Sequence, residues 1–383
     1  MIDETTNTAF KTNENHYKRP LMSNALHIVI IGGGLIGLTS ARALLDKARA
    51  EGDLRITVIE KNAAPGLGAG FANSGMIHPS QAKPWHDDMA QTTKDQVTGD
   101  VLSLAEKSVY LVKKRLSALG LKDVNRPMGC LKYYPDIEAR KRAHHDYKRM
   151  GIRTAFADHP AHSLIFPDDF SANALSWSRA EALALTDDGV KFICEVAAKL
   201  SQDKDGLILH IKDQVLRPDH ILIAAGSDSC ALLAPLGINV PIKAVKGYAL
   251  EYNIRPLDKA LFSPWLDGPP IMDAASHSAL SLFGDTLRLS GTVGAHKAET
   301  LIDIWSKICP ELINALGEPH LKWEGYRPIC DYGRPIIGPT KIKGLWINSG
   351  HGHMGWTLSQ PSGQLIANMI LNGRSDPRFR LVD

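Results

Sequence analysis

HIVIIGGGLIGL, residues 27–38, decides the fold. His27–Ile31 is an apolar run of strand type, and Gly32-x-Gly34-x-x-Gly37 comes directly after it. A helical pattern then continues through Ala50, and a second apolar run, Ile56–Ile59, ends at Glu60. Three glycines at that spacing mean little alone. Between a strand and a helix, with an acidic residue about 20 positions further on, they read as a βαβ unit that binds a dinucleotide. Gly32 allows the tight turn and Gly34 lets a pyrophosphate approach the N–H groups at the helix start, beside Leu35 and Ile36. Gly37 lets helix and strand pack closely, and Glu60 is placed to accept hydrogen bonds from a ribose.

The segment after Glu60 separates nicotinamide from flavin. Regular βαβ units are expected of a nicotinamide dehydrogenase. Instead the chain runs NAAPGLGAGFANSGMIHPSQAKPW, residues 62–85, where Gly66, Gly68, Gly70 and Gly75 give an aperiodic loop of small residues. Such a loop suits backbone laid along an extended cofactor. A long helical pattern is expected over Met89–Leu121. Further on, GLILHIKDQVLRPDHILIAAGSDS reads as a hairpin and then a buried strand, Ile221–Ala224, that ends at Ala225-Gly226. PIKAVKGYALEY and LRLSGTV are strand-like runs between Pro- and Gly-bearing loops, which points to a mostly antiparallel second domain. The chain returns at LKWEGYRPICDYGRPIIGP, a strand over Leu345–Asn348, and SGHGHMGWT, residues 349–357.

Composition bounds the function. The chain has 383 residues, enough for two domains. Lys+Arg 44 against Asp+Glu 41 leaves a net charge of +3, which gives no electrostatic case for a nucleic-acid partner. Five dispersed cysteines (130, 194, 230, 309 and 330) contain no C-x-x-C pair and fit reduced thiols in a cytoplasm-like compartment. Residues 1–25 are polar, lack the apolar core of a secretory signal, and read as a disordered tail. No stretch approaches the ~20 apolar residues of a membrane span. His351 and His353 raise a metal reading, but no third ligand stands at a usual spacing, and no metal is expected.

Taken together, the pieces resemble the FAD-dependent D-amino-acid oxidase superfamily, most nearly its D-amino-acid dehydrogenase and glycine oxidase branch. The resemblance rests on IGGGLIGL with Glu60, on ANSGMI (72–77), IAAG (223–226), PIKAVKGY (241–248), GYRP with GRPIIGP, and GHGHMGWT. It implies an α/β fold: a Rossmann-like FAD-binding domain of the two-dinucleotide-fold type plus a mostly antiparallel β substrate domain. The FAD domain is then expected in three parts, 26–85, 165–235 and 322–383, alternating with substrate-domain parts 86–164 and 236–321. Lys61, Ala72, Asn73, Ser74, Gly75, Met76, Ile77, Val196, Ala225 and Gly226 join the cofactor set. So do Gly350, His351, Gly352, His353, Met354, Gly355, Trp356 and Thr357, in a loop that runs under the flavin into a final helix over Leu358–Leu371. Pro361 falls in that helix's first turn.

The same resemblance implies non-covalent FAD and oxidation of an α-amino acid, most nearly a D-amino acid, to an imine that water hydrolyses. Arg327 is expected to fork onto the substrate carboxylate, with Tyr248 beside it. His353 is expected to face the substrate, and His78 to line the pocket. Arg334 is expected to be only a turn and a salt bridge, and Cys330 to be packing. Electrons pass to a quinone-like acceptor or to O2. Alternatives are a secondary-amine, N-methyl-amino-acid or hydroxyproline-type enzyme on the same scaffold, and a non-catalytic flavin-binding subunit. The expected location is cytoplasmic, with peripheral attachment to the inner face of the membrane as a variant, and a homo-oligomer or partner subunit is open. Departures from the family pattern fall at Cys330, Asp331 and Tyr332, at Gly294, and at Ala172, Asn173 and Ala174.

Overall fold

The computed structural model describes residues 25–48, 54–85, 89–292 and 297–382. The tail expected over residues 1–25 therefore lies almost wholly outside the described residues, as does Gly294. A six-stranded sheet forms in the order Ile336–Pro339, Leu345–Ser349, His220–Ile223, Leu26–Ile31, Leu54–Ile59, Lys191–Ile193. Every neighbour pair is parallel except the antiparallel edge pair of the first two strands. Its strands are mainly apolar because both faces are covered. Ile28, Ile30, Ile56, Val58 and Leu222 meet the helices Leu35–Ala48 and Gly355–Asn372 on one face. Val29, Ile31, Ile59, Ile221, Ile223 and Ile347 meet a three-stranded antiparallel sheet, Ala198–Asp203, Gly206–Ile211 and Gln214–Leu216, on the other.

The second sheet has eight strands and is antiparallel apart from one parallel pair, Ile271–Asp273 with Cys130–Tyr133. Its centre is the strand pair Ile242–Asn253 and Leu321–Cys330. One face carries Tyr248, Leu250, Leu280, Leu287 and Leu289, packed on the helices Thr300–Ile308 and Pro310–Ala315. The other face is turned toward the six-stranded sheet and carries Arg327. Pairing moves two of the expected domain boundaries. Leu321–Cys330, expected in the third part of the FAD domain, pairs into the eight-stranded sheet. Val112 and Leu116, expected in the substrate domain, pack in the core of the six-stranded sheet.

Two helices differ from the sequence reading. Met89–Leu121 is split into Gln91–Ala105 and Ser108–Ala118. The first buries Val97, Val101 and Ala105 against Met354 and Leu358, whereas the second turns into the larger core. The last helix begins at Gly355, so Pro361 lies inside it rather than in its first turn. Proline there removes the hydrogen bond to the Thr357 carbonyl. This helix crosses Leu35–Ala48 closely: a Cβ on Gly363 would come within 2.7 Å of the Thr39 carbonyl oxygen.

Candidate active site

A cavity of about 430 Å³ runs from the glycine turn to the underside of the eight-stranded sheet. At one end the βαβ unit builds a nucleotide cradle mainly from backbone. Gly32 has φ +112°, and a Cβ there would come 2.4 Å from the Ala224 carbonyl oxygen. A Cβ on Gly37 would come 1.8 Å from the Gly32 carbonyl oxygen, so only glycine lets the helix sit this near the strand. Gly34 has no atom within 4 Å of where a Cβ would stand, and it opens on the cavity with Leu35 and Ile36. First-turn N–H groups have no partner within their own helix, so they are free for a pyrophosphate. Glu60 is buried, and its Oε2 accepts the Gly33 N–H at 2.7 Å while its Oε1 accepts from the Asn62 backbone and side chain. These bonds fix the carboxylate at the cavity wall. Lys61 pairs with Asp228 at the rim.

At the other end side chains dominate. Arg327 lies across the sheet over Gly247, where a Cβ would come 2.5 Å from its Nη1. That Nη1 donates to the Thr292 carbonyl at 3.0 Å. No carboxylate among the described residues lies within 4.0 Å of the guanidinium, and burial holds its pKa below the ordinary arginine value. A buried cation without a counter-ion is expensive, so this geometry favours an anionic ligand. Trp323, two places before Gly325 and four before Arg327, shares its sheet face and lines the same cavity. Its indole lies over Gly325 and tilts against Phe71, with ring centroids 5.9 Å apart.

The loop SGHGH closes the floor. Gly352 has φ +56°, and a Cβ there would meet the Trp85 indole at 2.9 Å. His351 is buried with neither ring nitrogen hydrogen-bonded, and burial pushes its pKa down to about 3. His353 faces the cavity, its ring bonded to the Gln81 carbonyl and edge-on to Trp85 and His78. It is exposed to the cavity, and partial desolvation with Arg327 nearby lowers its pKa to about 4. Among the described residues there is no cluster of three or more His, Cys, Asp or Glu placed for a metal ion.

The cavity gathers fifteen of the expected cofactor residues: Gly32, Gly34, Leu35, Ile36, Glu60, Lys61, Asn73, Val196, Ala225, Gly226, His351, Gly352, His353, Gly355 and Trp356. Others stand one layer back. Gly37 and Gly350 are close-packed, the latter against Cys330 and Ile242. Ile77 and Met76 lie in the cores. Ser74 gives its carbonyl to Ser281, while Ala72, Met354 and Thr357 are buried behind the wall. Gly75 has no space for a side chain against Phe283.

Two substrate residues need correction. Tyr248 stands opposite Glu324 and Gly291, on the sheet face away from Arg327, and packs in the second-domain core. Alternation of side chains along a strand decides this: Arg327 is opposite Val245 and so shares the face of residues 245, 247 and 249. His78 is buried behind His353, its N–H bonded to Thr357 Oγ1 at 3.1 Å, and does not line the main cavity. Cys330 is fully buried and its thiol is pushed up to about 12, which leaves it as packing. Arg334 bonds the Arg378 carbonyl and lies 3.8 Å from Asp100, away from the cavity. Sequence reasoning missed Trp323, Asn62 and Asn348 as wall residues. Period-two spacing from Arg327 could have found Trp323.

The chain belongs to the DAO family, the FAD dependent oxidoreductases, whose pattern matches residues 27–369. It is a flavoenzyme of that family, with FAD as its cofactor. Relatives named D-amino acid dehydrogenase include one from Cereibacter sphaeroides, 26% identical over 91% of this chain and 92% of its own. Another, from Vibrio vulnificus, is 25% identical over 91% and 96%. Glycine oxidase from Geobacillus kaustophilus has the same fold, with a TM-score of 0.75 at 19% identity over 94% of this chain and 99% of its own. So does iminodiacetate oxidase from Chelativorans sp. BNC1, with a TM-score of 0.72 at 19% identity over 92% and 98%. The residues present suit the cofactor: a backbone cradle and Glu60 for the nucleotide, and unpartnered His351 with a helix start for the ring end.

Proposed function

We propose that this protein oxidises the Cα–N bond of an α-amino acid, of D configuration, to an imine that water hydrolyses to a 2-oxo acid and ammonia. The observation that carries the reading is the Arg327 guanidinium at the cavity wall, with no carboxylate within 4.0 Å among the described residues. A planar donor pair matches a carboxylate bidentately. FAD, when bound, supplies the two-electron acceptor. The Thr292 carbonyl and the bare sheet at Gly247 fix the guanidinium, and with it the orientation of the substrate's Cα–H. Neutral His353 adds no charge to repel an amine, and no protein base is required if the amine enters unprotonated.

D configuration rests on the relatives' names. FAD is held without a covalent bond, since Cys330 is buried and protonated. A quinone-like acceptor or O2 takes the electrons onward. Among the described residues no helix is long and apolar enough to cross a membrane. The test is anaerobic mixing of purified holoenzyme with D- and L-amino acids, proline and sarcosine, following flavin absorbance. Bleaching by D-amino acids is expected. Bleaching by secondary amines alone moves the substrate class, and no bleaching by any of them leaves a non-catalytic flavoprotein.

A further inference from the structure

We infer that the substrate's side chain is apolar and of leucine size or larger, and that Trp323 is the surface on which it lies. The inference rests on the amino-acid reading above and names the substrate class for the same site. Trp323 and Arg327 both line the cavity, and they reach one spot from opposite directions. In the antiparallel pair, Arg327 stands opposite Val245, Gly325 opposite Gly247, and Trp323 opposite Ala249. The guanidinium leans onto Gly247, where a Cβ would come 2.5 Å from Nη1 and 2.6 Å from Nη2. The indole leans onto Gly325, where a Cβ would overlap its Cη2 and Cζ2. Cβ positions of directly opposed residues stand about 5 Å apart. Cation and benzo edge therefore lie side by side, one over each member of a single glycine pair.

Clearance is what these two glycines provide. Neither has φ in the left-handed range, so the backbone alone does not call for them. Glycine inside a strand weakens it and marks a close approach. Here it lets a guanidinium and an indole lie flat on the sheet.

The rest of that face is apolar. Between positions 245 and 249 and between 323 and 327 it carries Val245, Gly247, Ala249, Trp323 and Gly325, with Arg327 as its one charge. Glu324, which also borders the cavity, has its carboxylate paired with Lys246 at 3.1 Å. The indole is half-buried and rests on Phe71 with ring centroids 5.9 Å apart. With its carboxylate on Arg327, an α-amino acid has its side chain within reach of the indole, since a chain of two or more carbons spans such a step. A hydrogen or methyl leaves the ring uncovered. A branched or aromatic side chain covers it, and an aromatic one adds ring contact to the buried area. An ionised side chain would lose water against Val245, Ala249 and the indole, none of which can pair with it.

The experiment compares holoenzyme with its Trp323→Leu and Trp323→Phe variants on phenylalanine and leucine against alanine and glutamine, in the enantiomer the enzyme oxidises. Wild type is expected to favour phenylalanine and leucine in kcat/KM by at least ~10-fold. Trp323→Leu should lose at least ~10-fold more on phenylalanine than on alanine, and Trp323→Phe, which keeps a ring on the wall, should restore most of the difference. A further readout uses wild type alone: 3-phenylpropanoate should perturb the flavin spectrum at least ~10-fold more tightly than propanoate, their carboxylates being alike. Failure there overturns the assignment even if a variant does not fold. A preference for phenylalanine that survives Trp323→Leu overturns it too, since the side chain then lies on another wall. Amino acids oxidised with alanine and glutamine equal to phenylalanine overturn the Trp323 assignment only. Oxidation of simple amines and of no amino acid overturns the parent reading, and Trp323 falls with it.

Discussion

The two ends of the cavity are built in different ways. The nucleotide end comes mainly from the unit between Leu26 and Asn62, and its chemistry is main-chain N–H groups, glycine clearance and one carboxylate. The substrate end collects Arg327 and His353, with Thr292, Gly247 and Gln81 behind them, from separate elements. Backbone chemistry tolerates almost no substitution where atoms touch, but it carries no choice of substrate. Side-chain chemistry is replaceable one residue at a time, and it alone decides what is oxidised. The difference predicts all-or-none failure at the first end and graded, substrate-dependent failure at the second.

The largest effect is therefore expected from Gly37→Ala. Its Cβ would stand 1.8 Å from the Gly32 carbonyl oxygen, a backbone atom with nowhere to go. Soluble protein, if recovered, should lack FAD; a yellow, active Gly37→Ala enzyme would break the claim that clearance defines this end. Next comes Arg327→Met, which keeps length and apolar stem. Losing one partner of a buried charge pair costs about 2–5 kcal/mol, so kcat/KM for amino acids should fall at least ~30-fold with FAD content unchanged. Arg334→Met, away from the cavity, should change kcat/KM less than ~3-fold. Equal losses from the two arginines, or none from Arg327→Met, would make Arg327 structural.

A smaller effect concerns acid stability. His78, His351 and His353 are held down to about 3, 3 and 4, while an unfolded histidine titrates near ~6.5. Between those values the unfolded chain binds protons that the folded chain does not, so stability falls as pH drops below ~6.5. Urea midpoints measured from pH 7 to 5 should decline, and less steeply in His351→Asn; an identical slope in the variant would remove His351 from the account. The smallest expected effect is on metals. Elemental analysis should find no stoichiometric zinc, iron or copper, and chelators should leave activity unchanged. One tightly bound metal per chain, lost in the His351→Ala/His353→Ala double variant, would reinstate the histidine pair as ligands.

Legibility divides along the same line. The glycine turn, Glu60 and the strands around them are readable because each signal is short-range and steric. Tyr248 is misleading for the opposite reason. Its place in PIKAVKGY puts it near Arg327 in space, but only the pairing of Val245 with Arg327 shows which face it takes. Trp323 carries no motif, and its place on the cavity wall depends on the pairing of Leu321–Cys330 with Ile242–Asn253 that no local pattern announces. Pro361 sits deeper in its helix than the sequence pattern implies because that helix is extended backward to the 3-10 turn Gly352–Met354, a packing outcome.

By itself, then, the sequence determined the class of fold, the dinucleotide turn, the flavin assignment and the arginine on which substrate recognition is proposed to rest. Those depend on glycine sterics, helix-start N–H groups and residue chemistry within a few positions of one another. Tertiary structure alone decided which sheet face each strand residue occupies, that Tyr248 turns away from Arg327, and that His78 is buried behind His353. These depend on register, curvature and desolvation, which arise only when distant strands pair and exclude water.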